Sequence, residues 1–279
     1  MELLKGADVI AAMKQRMQKE LEKQSRTPKL AIIRVGERPD DMSYERGAKK
    51  RMQGIGIICE SHVFPADISN EAFLKEFEII NTDSGVDGIL VLRPLPAHLD
   101  EKRIEQMIDP AKDVDGISPI NMAKVFAGDD SGFAPCTAQA VVEMLDFAGI
   151  ELSGKRVAII GRSLVVGKPL AMLLMKKNAT VTVCHTKTVD MPTICREAEI
   201  VIAAAGRAKM IDQTYIGKDA IVIDVGINMD ENNKLCGDVD LDSIQALASM
   251  ATPVPGGVGT VTTSVLAQHV VQAAMKNGI

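Results

Sequence analysis

Short apolar runs alternate with stretches of helical period along the first part of the chain. Three apolar runs bounded by polar or turn residues cover residues 29–35, 56–64 and 86–91. Runs of this kind are typical of buried parallel strands. Stretches of helical period cover residues 7–23, 43–53 and 70–81, and Asp67 and Ser69 are suitable caps for the last one. The pattern predicts a βαβαβ block after a first amphipathic helix.

A second alternating block follows a Gly- and Asp-rich segment at residues 127–132, which suits a domain linker. Further strands are predicted at residues 156–160, 180–184, 200–204 and 220–224, with a helix at 167–177. Strands that alternate with helices indicate a parallel sheet with right-handed crossovers. A last helix, predicted at residues 263–276, follows a glycine-rich loop, and we expect it to return to the first block.

The fold class is therefore predicted as α/β with two domains, since 279 residues exceed a typical single domain. We place an N-terminal parallel α/β domain at residues 1–125 together with 260–279. A dinucleotide-binding domain of the Rossmann type is placed at residues 126–259.

Composition and charge exclude several classes of protein. A net charge of −5, with no basic run and no aromatic stacking surface, argues against nucleic-acid binding. The five cysteines are odd in number and form no C-x-x-C pair, which indicates reduced thiols rather than disulfides or a zinc site. Neither a signal peptide nor an apolar stretch of the roughly 20 residues that a bilayer requires is visible, so we expect a cytoplasmic protein without membrane contact. No metal-ligand spacing is present.

A strand, a glycine loop and a helix follow one another in the stretch RVAIIGRSLVVGKPLAMLLM. Gly161, Ser163 and Gly167 lie at the turn, where glycine lets the backbone approach a pyrophosphate and the helix offers free N–H groups. The spacing G-x-S-x-x-x-G departs from the usual G-x-G-x-x-G. A dinucleotide site is predicted, and a purely structural strand-to-helix turn is the alternative.

The residues after the next strand favour NADP over NAD. An NAD enzyme usually carries a carboxylate there for the ribose 2′-hydroxyl, whereas this chain has Cys184, His185, Thr186 and Lys187. Arg162 and Thr186 could hold a 2′-phosphate through charge-assisted hydrogen bonds. NAD remains possible, because Arg162 and Lys187 could equally be solvated surface charges.

Nine motifs in fixed order identify a family resemblance. They are VGERPDDMSY, DGILVLRPLP, KDVDGISPIN, PCT, VAIIGRSLVVGKPLAMLL, ATVTVCHTKT, IVIDVGIN, GDVD and TPVPGGVGTVT. Together they resemble the bifunctional methylenetetrahydrofolate dehydrogenase/cyclohydrolase family, the FolD type. The resemblance implies a homodimer of two-domain α/β chains. It also implies that a tetrahydrofolate derivative binds between the first domain and the PGGVG loop, beside a nicotinamide cofactor.

The resemblance also implies site residues by motif position. Tyr44 and Asp115 match the residues that act on the folate. The implied folate-binding residues are Tyr44, Ala48, Val91, Leu92, Arg93, Asp115, Pro255, Gly256, Gly257, Val258, Gly259 and Thr262. The implied cofactor-binding residues are Gly161, Arg162, Ser163, Thr186 and Ile227.

Two positions depart from the family pattern. Ala48 stands where the family has a lysine, one helical turn after the tyrosine, and Leu92 stands where it has a glutamine. Lys49 is adjacent, but one residue turns a helix by about 100°, which directs it off that face. Cys136 lies in a family motif but has no evident base partner, and we assign it no chemistry.

These departures affect the two reactions of the family unequally. Hydride removal from the methylene bridge needs no proton abstraction, so positioning and favourable electrostatics suffice. Hydrolysis of the methenyl product needs acid–base help, typically worth about 100- to 10,000-fold. We therefore expect a dehydrogenase with weak or absent cyclohydrolase activity. The alternatives are a fully bifunctional enzyme and an inactive protein that binds folate or dinucleotide.

Arg162→Ala tests the cofactor assignment. If the guanidinium holds the 2′-phosphate, the variant should lose the preference for NADP, because KM for NADP rises while KM for NAD does not. The measurement is a comparison of the two KM values in wild type and variant. An unchanged NADP preference would remove the assignment.

Overall fold

Helices and strands alternate through most of the chain in the computed structural model, which describes residues 1–277. The helices are α1 (Gly6–Leu21), α2 (Pro39–Ile55), α3 (Asn70–Thr82), α4 (Glu101–Met107), α5 (Pro119–Ala127), α6 (Cys136–Phe147), α7 (Gly167–Lys176), α8 (Met191–Arg196) and α9 (Val258–Asn277), with a 3₁₀ turn at Gln213–Tyr215. The strands are β1 (Glu2–Leu3), β2 (Lys29–Val35), β3 (Ile58–Phe64), β4 (Gly88–Val91), β5 (Arg156–Ile160), β6 (Thr180–Cys184), β7 (Ile200–Ala203), β8 (Ile221–Asp224), β9 (Asn228–Met229), β10 (Leu235–Cys236) and β11 (Met250–Ala251).

Contacts between Cα atoms divide the chain into two compact units. The first unit comprises Ala12–Cys136 with Thr263–Ile279, and the second comprises Met1–Ala11 with Thr137–Thr262. The predicted domains, 1–125 with 260–279 and 126–259, differ from these units at residues 1–11, 126–136 and 260–262. Residues 1–11 group with the second unit because β1 pairs with β11, a long-range contact that no local pattern indicates.

The first unit is built on a parallel sheet of three strands in the order β3-β2-β4. Ile32 pairs with Ser61 on one side and with Leu90 on the other. Phe73 and Phe77 of α3 are fully buried against this sheet in a cluster that includes Ile33 and other apolar residues. Burial of these aromatic rings contributes to the hydrophobic stabilisation of this part of the fold.

The C-terminal helix α9 returns to the first unit, as predicted. The ring atom Nδ1 of His269 lies 2.8 Å from the carbonyl oxygen of Val114. Lys276 donates to the carbonyl oxygen of Ser131 at 2.9 Å. A Cβ atom on Gly88 of β4 would lie 3.0 Å from Val270 of this helix, so strand and helix are in close contact.

The second unit contains a parallel sheet of six strands in the order β1-β11-β8-β7-β5-β6. Every pairing in this sheet is parallel, so the carboxyl ends of its strands lie along one edge. The chain leaves β5 for β6 on one side and then returns to β7 on the other side. This reversal makes the gap between β5 and β7 the topological switch point, where α/β sheets bind ligands.

The predicted fold class is confirmed, although several helices lie outside the predicted pattern. The helices α4, α5, α6 and α8 were not predicted, and their shortness explains why periodicity fails to show three of them. Side chains of Asp100 and Ser118 cap α4 and α5 by accepting the N–H groups of Arg103 and Asn121. Helix α9 begins at Val258 rather than at residue 263, because Gly259 is accommodated within the helix despite its low helix propensity.

Phe77→Ala tests the contribution of the α3 contact. The variant leaves a cavity in a fully buried position, so the free energy of unfolding should fall by about 3–5 kcal/mol. Urea unfolding followed by circular dichroism measures the change. Ile79→Ala on the same helix, at a side chain 56% exposed, is the control and should change stability by no more than about 0.5 kcal/mol. Equal losses in the two variants would contradict the packing role.

Candidate active site

Helix α2 carries Tyr44 and Ala48 one turn apart, so both lie on one helix face. The helix has Pro39 in its first turn and ends at Gly56, whose φ of 102° is the left-handed conformation that favours glycine. Tyr44 is half-buried, whereas Ala48 is fully buried. Position 48, where the motif resemblance implies a lysine, is therefore apolar and enclosed in this chain.

Lys49, the residue after Ala48, is paired with a buried carboxylate. Lys49 Nζ lies 2.8 Å from Glu45 Oε1, and Arg34 Nε lies 2.7 Å from Glu45 Oε2. Ser61 also donates to this carboxylate. Burial raises the pKa of Glu45, but the hydrogen bonds from Lys49, Ser61 and Arg34 outweigh it and lower that pKa to about 2. Lys49 thus forms an ion pair on its own helix.

The segment after β4 places an arginine between two glutamates. Val91 and Leu92 are buried apolar residues, and Arg93 follows them. The guanidinium atom Nη1 of Arg93 lies 3.5 Å from Glu101 and 3.1 Å from Glu105, which are one turn apart on α4. Because α4 was not predicted, these partners of Arg93 were not predicted either.

The loop that carries Asp115 is fixed by the neighbouring Asp113. The Asp113 carboxylate is fully buried and accepts the N–H groups of Ile117 at 2.9 Å and Ser118 at 2.8 Å. It also accepts from the side chain of Asn121 at 2.9 Å. Gly116 adopts a φ of 67° at the turn. The aspartate of the K-D-V-D-G motif that holds this loop is thus the first one, Asp113. An aspartate shortly before a tight turn is the sequence signal that could have indicated this role.

Asp115 has a raised proton affinity. Burial raises the pKa of its carboxyl to about 6, against a hydrogen bond from the Cys136 thiol and the positive charge of Arg93, while Asp113 adds to the rise. The residue itself keeps part of its surface exposed. A carboxyl with this pKa is mostly ionised at neutral pH and can be protonated under mildly acidic conditions.

Cys136 lies beside a histidine that cannot act as its base. Its Sγ atom is 3.9 Å from Nδ1 of His269. The same Nδ1 lies 2.8 Å from the Val114 carbonyl oxygen, an acceptor, so this nitrogen carries the proton and donates it. Burial, with the charge of Asp115, raises the pKa of the Cys136 thiol well above its ordinary value. Cys136 is therefore not a thiolate nucleophile in this geometry.

The glycine loop after β5 lies against the end of β7. Gly161 has a φ of 132°, and a Cβ atom there would lie 2.1 Å from the carbonyl oxygen of Ala204. A Cβ atom on Gly167 would lie 2.0 Å from the Gly161 carbonyl oxygen. Only glycine fits at these two positions, and the close approach is the kind that a phosphate cradle requires. The loop residues Arg162 and Ser163 are exposed.

The other predicted cofactor residues lie at the same sheet edge. Thr186 follows β6 and is exposed, and Ile227 follows β8 with 65% of its surface exposed. Since β6, β5, β7 and β8 are parallel neighbours, the Gly161 loop lies between the segments that carry Thr186 and Ile227. The second unit thus brings all five predicted cofactor residues to one edge.

The PGGVG segment leads directly into α9. Gly256 accepts the N–H of Gly6 at 2.8 Å, and a Cβ atom on Gly257 would lie 2.5 Å from the Pro253 carbonyl oxygen. Pro255 and Gly259 are exposed, while Val258 is buried. A Cβ atom on Gly259 would lie 3.1 Å from the Ile227 side chain, so this segment reaches a predicted cofactor residue. Thr262, on the helix, donates to the Gly259 carbonyl oxygen at 3.0 Å.

None of the helices within residues 1–277 has the length and apolar content needed to cross a membrane. Within the same residues, no group of three or more His, Cys, Asp or Glu side chains could hold a metal ion.

Asp115→Asn tests the raised pKa through stability. Because the folded pKa of about 6 exceeds the ordinary value of 3.8, the folded protein binds this proton more tightly than the unfolded chain does. The resulting stabilisation is fully present below the ordinary pKa and is lost as pH rises through about 6. The variant lacks this titration, so its free energy of unfolding should rise relative to wild type between about pH 4 and pH 7.

Urea unfolding at several pH values measures the difference, and Asp67→Asn, at an exposed aspartate, is the control for charge removal. Parallel pH profiles for Asp115→Asn and wild type would contradict the raised pKa.

The chain is similar to known proteins along both units. The catalytic-domain model of tetrahydrofolate dehydrogenase/cyclohydrolase matches residues 4–115, and the NAD(P)-binding-domain model matches residues 135–278. Bifunctional protein FolD of Clostridium kluyveri is 53% identical over 274 residues, which are 97% of this chain and 96% of the relative.

Two solved structures share this fold. The bifunctional enzyme FolD, methylenetetrahydrofolate dehydrogenase/cyclohydrolase, from Campylobacter jejuni has a TM-score of 0.95 and 37% identity, and covers 99% of both chains. The FolD enzyme of Trypanosoma brucei, complexed with NADP cofactor and an inhibitor, has a TM-score of 0.90 and 34% identity over 98% of this chain and 97% of that one. The family predicted from the motifs is confirmed: this chain belongs to the tetrahydrofolate dehydrogenase/cyclohydrolase family and has its NAD(P)-binding domain.

Proposed function

We propose that this chain oxidises 5,10-methylenetetrahydrofolate to the 5,10-methenyl compound by hydride transfer to NADP, and that it also hydrolyses the methenyl product. The dehydrogenase activity follows from family membership over both units. The proposed folate site rests on one observation: the carboxylate of Asp115 lies on a loop that hydrogen bonds to Asp113 hold in place.

The first reaction requires positioning rather than proton transfer. A nicotinamide cofactor held at the Gly161 loop would supply the hydride acceptor. Asp115 is mostly ionised above its pKa of about 6, and its negative charge stabilises the cation that develops on the folate as hydride leaves. Tyr44, on the helix face that also carries Ala48, is proposed to contact the folate. A folate-binding role for the PGGVG segment stays a prediction.

The proposed preference for NADP rests on the charged side chains at the carboxyl ends of the strands in the six-stranded sheet. Arg162 is exposed in the loop after β5, and no carboxylate follows β6 within the Cys184 to Lys187 stretch. The glycine contacts of Gly161 and Gly167 suit a close approach of a pyrophosphate to the backbone. A related structure, that from Trypanosoma brucei, is a complex with NADP, which supports the same cofactor here.

The second reaction is proposed on the strength of the relatives. FolD of Clostridium kluyveri, with 53% identity, and that of Clostridioides difficile, with 51% identity, are both called bifunctional. Their names favour the bifunctional alternative over the expectation of a weak cyclohydrolase. From the family resemblance, we also propose that the chain forms a homodimer and acts in the cytoplasm.

A dehydrogenase with weak hydrolysis remains the second candidate because of two buried apolar side chains. Ala48 is fully buried and Leu92 is 6% exposed, so neither can move a proton. Lys49 is paired with Glu45, and Arg93 is paired with Glu101 and Glu105. If the chain is bifunctional, groups other than a lysine at position 48 and a glutamine at position 92 assist the hydrolysis.

A paired assay on one preparation tests both activities. With methylenetetrahydrofolate and NADP, wild type should reduce the cofactor, and the near-ultraviolet absorbance of the methenyl product should then decay in an enzyme-dependent manner. The comparison is Ala48→Lys combined with Leu92→Gln, and the control is Ala48→Met combined with Leu92→Gln, which fills position 48 without adding a charge.

Two results together would favour the second candidate over the bifunctional proposal. Wild type would accumulate the methenyl product, and hydrolysis would be about 100-fold faster in the variant with Ala48→Lys and Leu92→Gln but not in the control with Ala48→Met. Absence of cofactor reduction in a protein that binds both ligands would contradict both.

A further inference from the structure

The carboxylate of Asp238 is a buried acceptor that collects four N–H donors. Asp238 lies just after β10 in the G-D-V-D motif and is fully buried. Its Oδ2 atom accepts from the backbone N–H of Ala205 at 2.6 Å and of Gly206 at 3.0 Å. Its Oδ1 atom accepts from the N–H of Arg207 at 2.8 Å and from the side-chain amide of Asn228 at 2.9 Å. A buried carboxylate with this many donors strongly restrains the segments that supply them.

The three consecutive backbone donors belong to the loop at the switch point. Residues 204–207 follow β7, which lies next to β5 in the sheet. Ala204 is the residue whose carbonyl oxygen closely approaches Gly161. The loops after β5 and β7 therefore form the two sides of the crevice in which an α/β sheet binds a dinucleotide.

The fourth donor belongs to the segment after β8. Asn228 is the first residue of β9 and directly follows Ile227, the exposed residue assigned to the cofactor. A single carboxylate thus joins the loop after β7 to the segment that carries Ile227. A second aspartate, Asp224 at the end of β8, accepts the backbone N–H of Asp238 at 3.0 Å and of Val239 at 2.9 Å. This pair of bonds fixes the backbone from which Asp238 extends.

Two glycines make this arrangement sterically possible. A Cβ atom on Gly226 would lie 2.4 Å from Cγ of Asp238, and one on Gly237 would lie 1.9 Å from Oδ2 of Asp224. Any larger residue at either position would displace a carboxylate from its donors. The G-D-V-D and D-V-G-I-N motifs therefore have a joint physical role in this unit.

We propose that Asp238 is a positioning residue of the dinucleotide site: it holds the loop after β7 and the Asn228 segment in the conformation that binds the cofactor. The inference rests on the proposed function. Asp238 does not have to touch the cofactor, because it acts through the backbone of Ala205–Arg207 and through Asn228.

Asp238→Asn tests the inference. The amide keeps the shape of the side chain but directs an NH₂ group at N–H donors, so part of the loop loses its acceptor. The Kd for NADPH, measured by fluorescence titration without folate, and KM for NADP should each rise about 10-fold, the effect of losing charge-assisted hydrogen bonds. KM for methylenetetrahydrofolate should stay within about twofold of wild type, a split that a general loss of structure would not produce.

The matched control is Asp212→Asn. Asp212 is also a carboxylate that accepts a backbone N–H, from Thr214 at 2.9 Å, but it caps the 3₁₀ turn at Gln213–Tyr215. Its variant should bind NADPH as wild type does. If Asp238→Asn proves insoluble, Asn228→Ala removes one of the four donors and should raise the Kd for NADPH by about two- to threefold.

The outcomes separate this inference from the proposed function. Wild-type affinity for NADPH in folded Asp238→Asn, unchanged affinity in Asn228→Ala, or a parallel rise of both KM values would overturn the inference alone. Wild-type protein that binds neither NADPH nor NADH would overturn the proposed function and this inference with it.

Discussion

Buried aspartate carboxylates that accept backbone N–H groups fix the loops on which the proposed site residues lie. Asp113 does so in the first unit, where it fixes the turn that presents Asp115. Asp224 and Asp238 do so in the second unit, where they fix the segments after β7 and β8. A buried charge is costly unless hydrogen bonds satisfy it, so each carboxylate is compatible with only a narrow range of loop conformations. These acceptors therefore help to specify the loop conformations, together with glycines such as Gly116 in the loops themselves.

Glycines complement these carboxylates because, without a side chain, they let backbone segments and carboxylates come close together. Gly161 lets the loop after β5 contact the end of β7, and Gly237 lets the backbone contact the Asp224 carboxylate. A side chain at either position would overlap with a fixed group. Close backbone contact and buried acceptors together give a rigid edge to the sheet of the second unit, which is the condition for aligning a reactive ring in a hydride transfer.

The first unit carries the proposed folate-binding carboxylate, Asp115, and apolar residues at positions 48 and 92. Asp115 stays on a fixed loop, and its environment holds its pKa at about 6. Ala48 and Leu92 are apolar and buried, and the charged residues that follow them in the sequence, Lys49 and Arg93, are paired with glutamates. In the proposed function, Asp115 supplies the negative charge that hydride transfer favours. If the chain also hydrolyses the methenyl product, as proposed, groups other than Ala48 and Leu92 assist the proton transfer.

The sequence by itself determined the fold class, the family and the main strands. The runs that form β2, β5 and β6 have the predicted bounds, because a buried parallel strand is a continuous apolar segment that is visible locally. The motifs also assigned Tyr44, Asp115 and the glycine loop. Only the tertiary structure decided that residues 1–11 join the second unit, that α4 supplies partners to Arg93, and that Asp238 holds the loop after β7. Each of these depends on a contact between residues far apart in the chain, and neither periodicity nor local propensity carries information about such a partner.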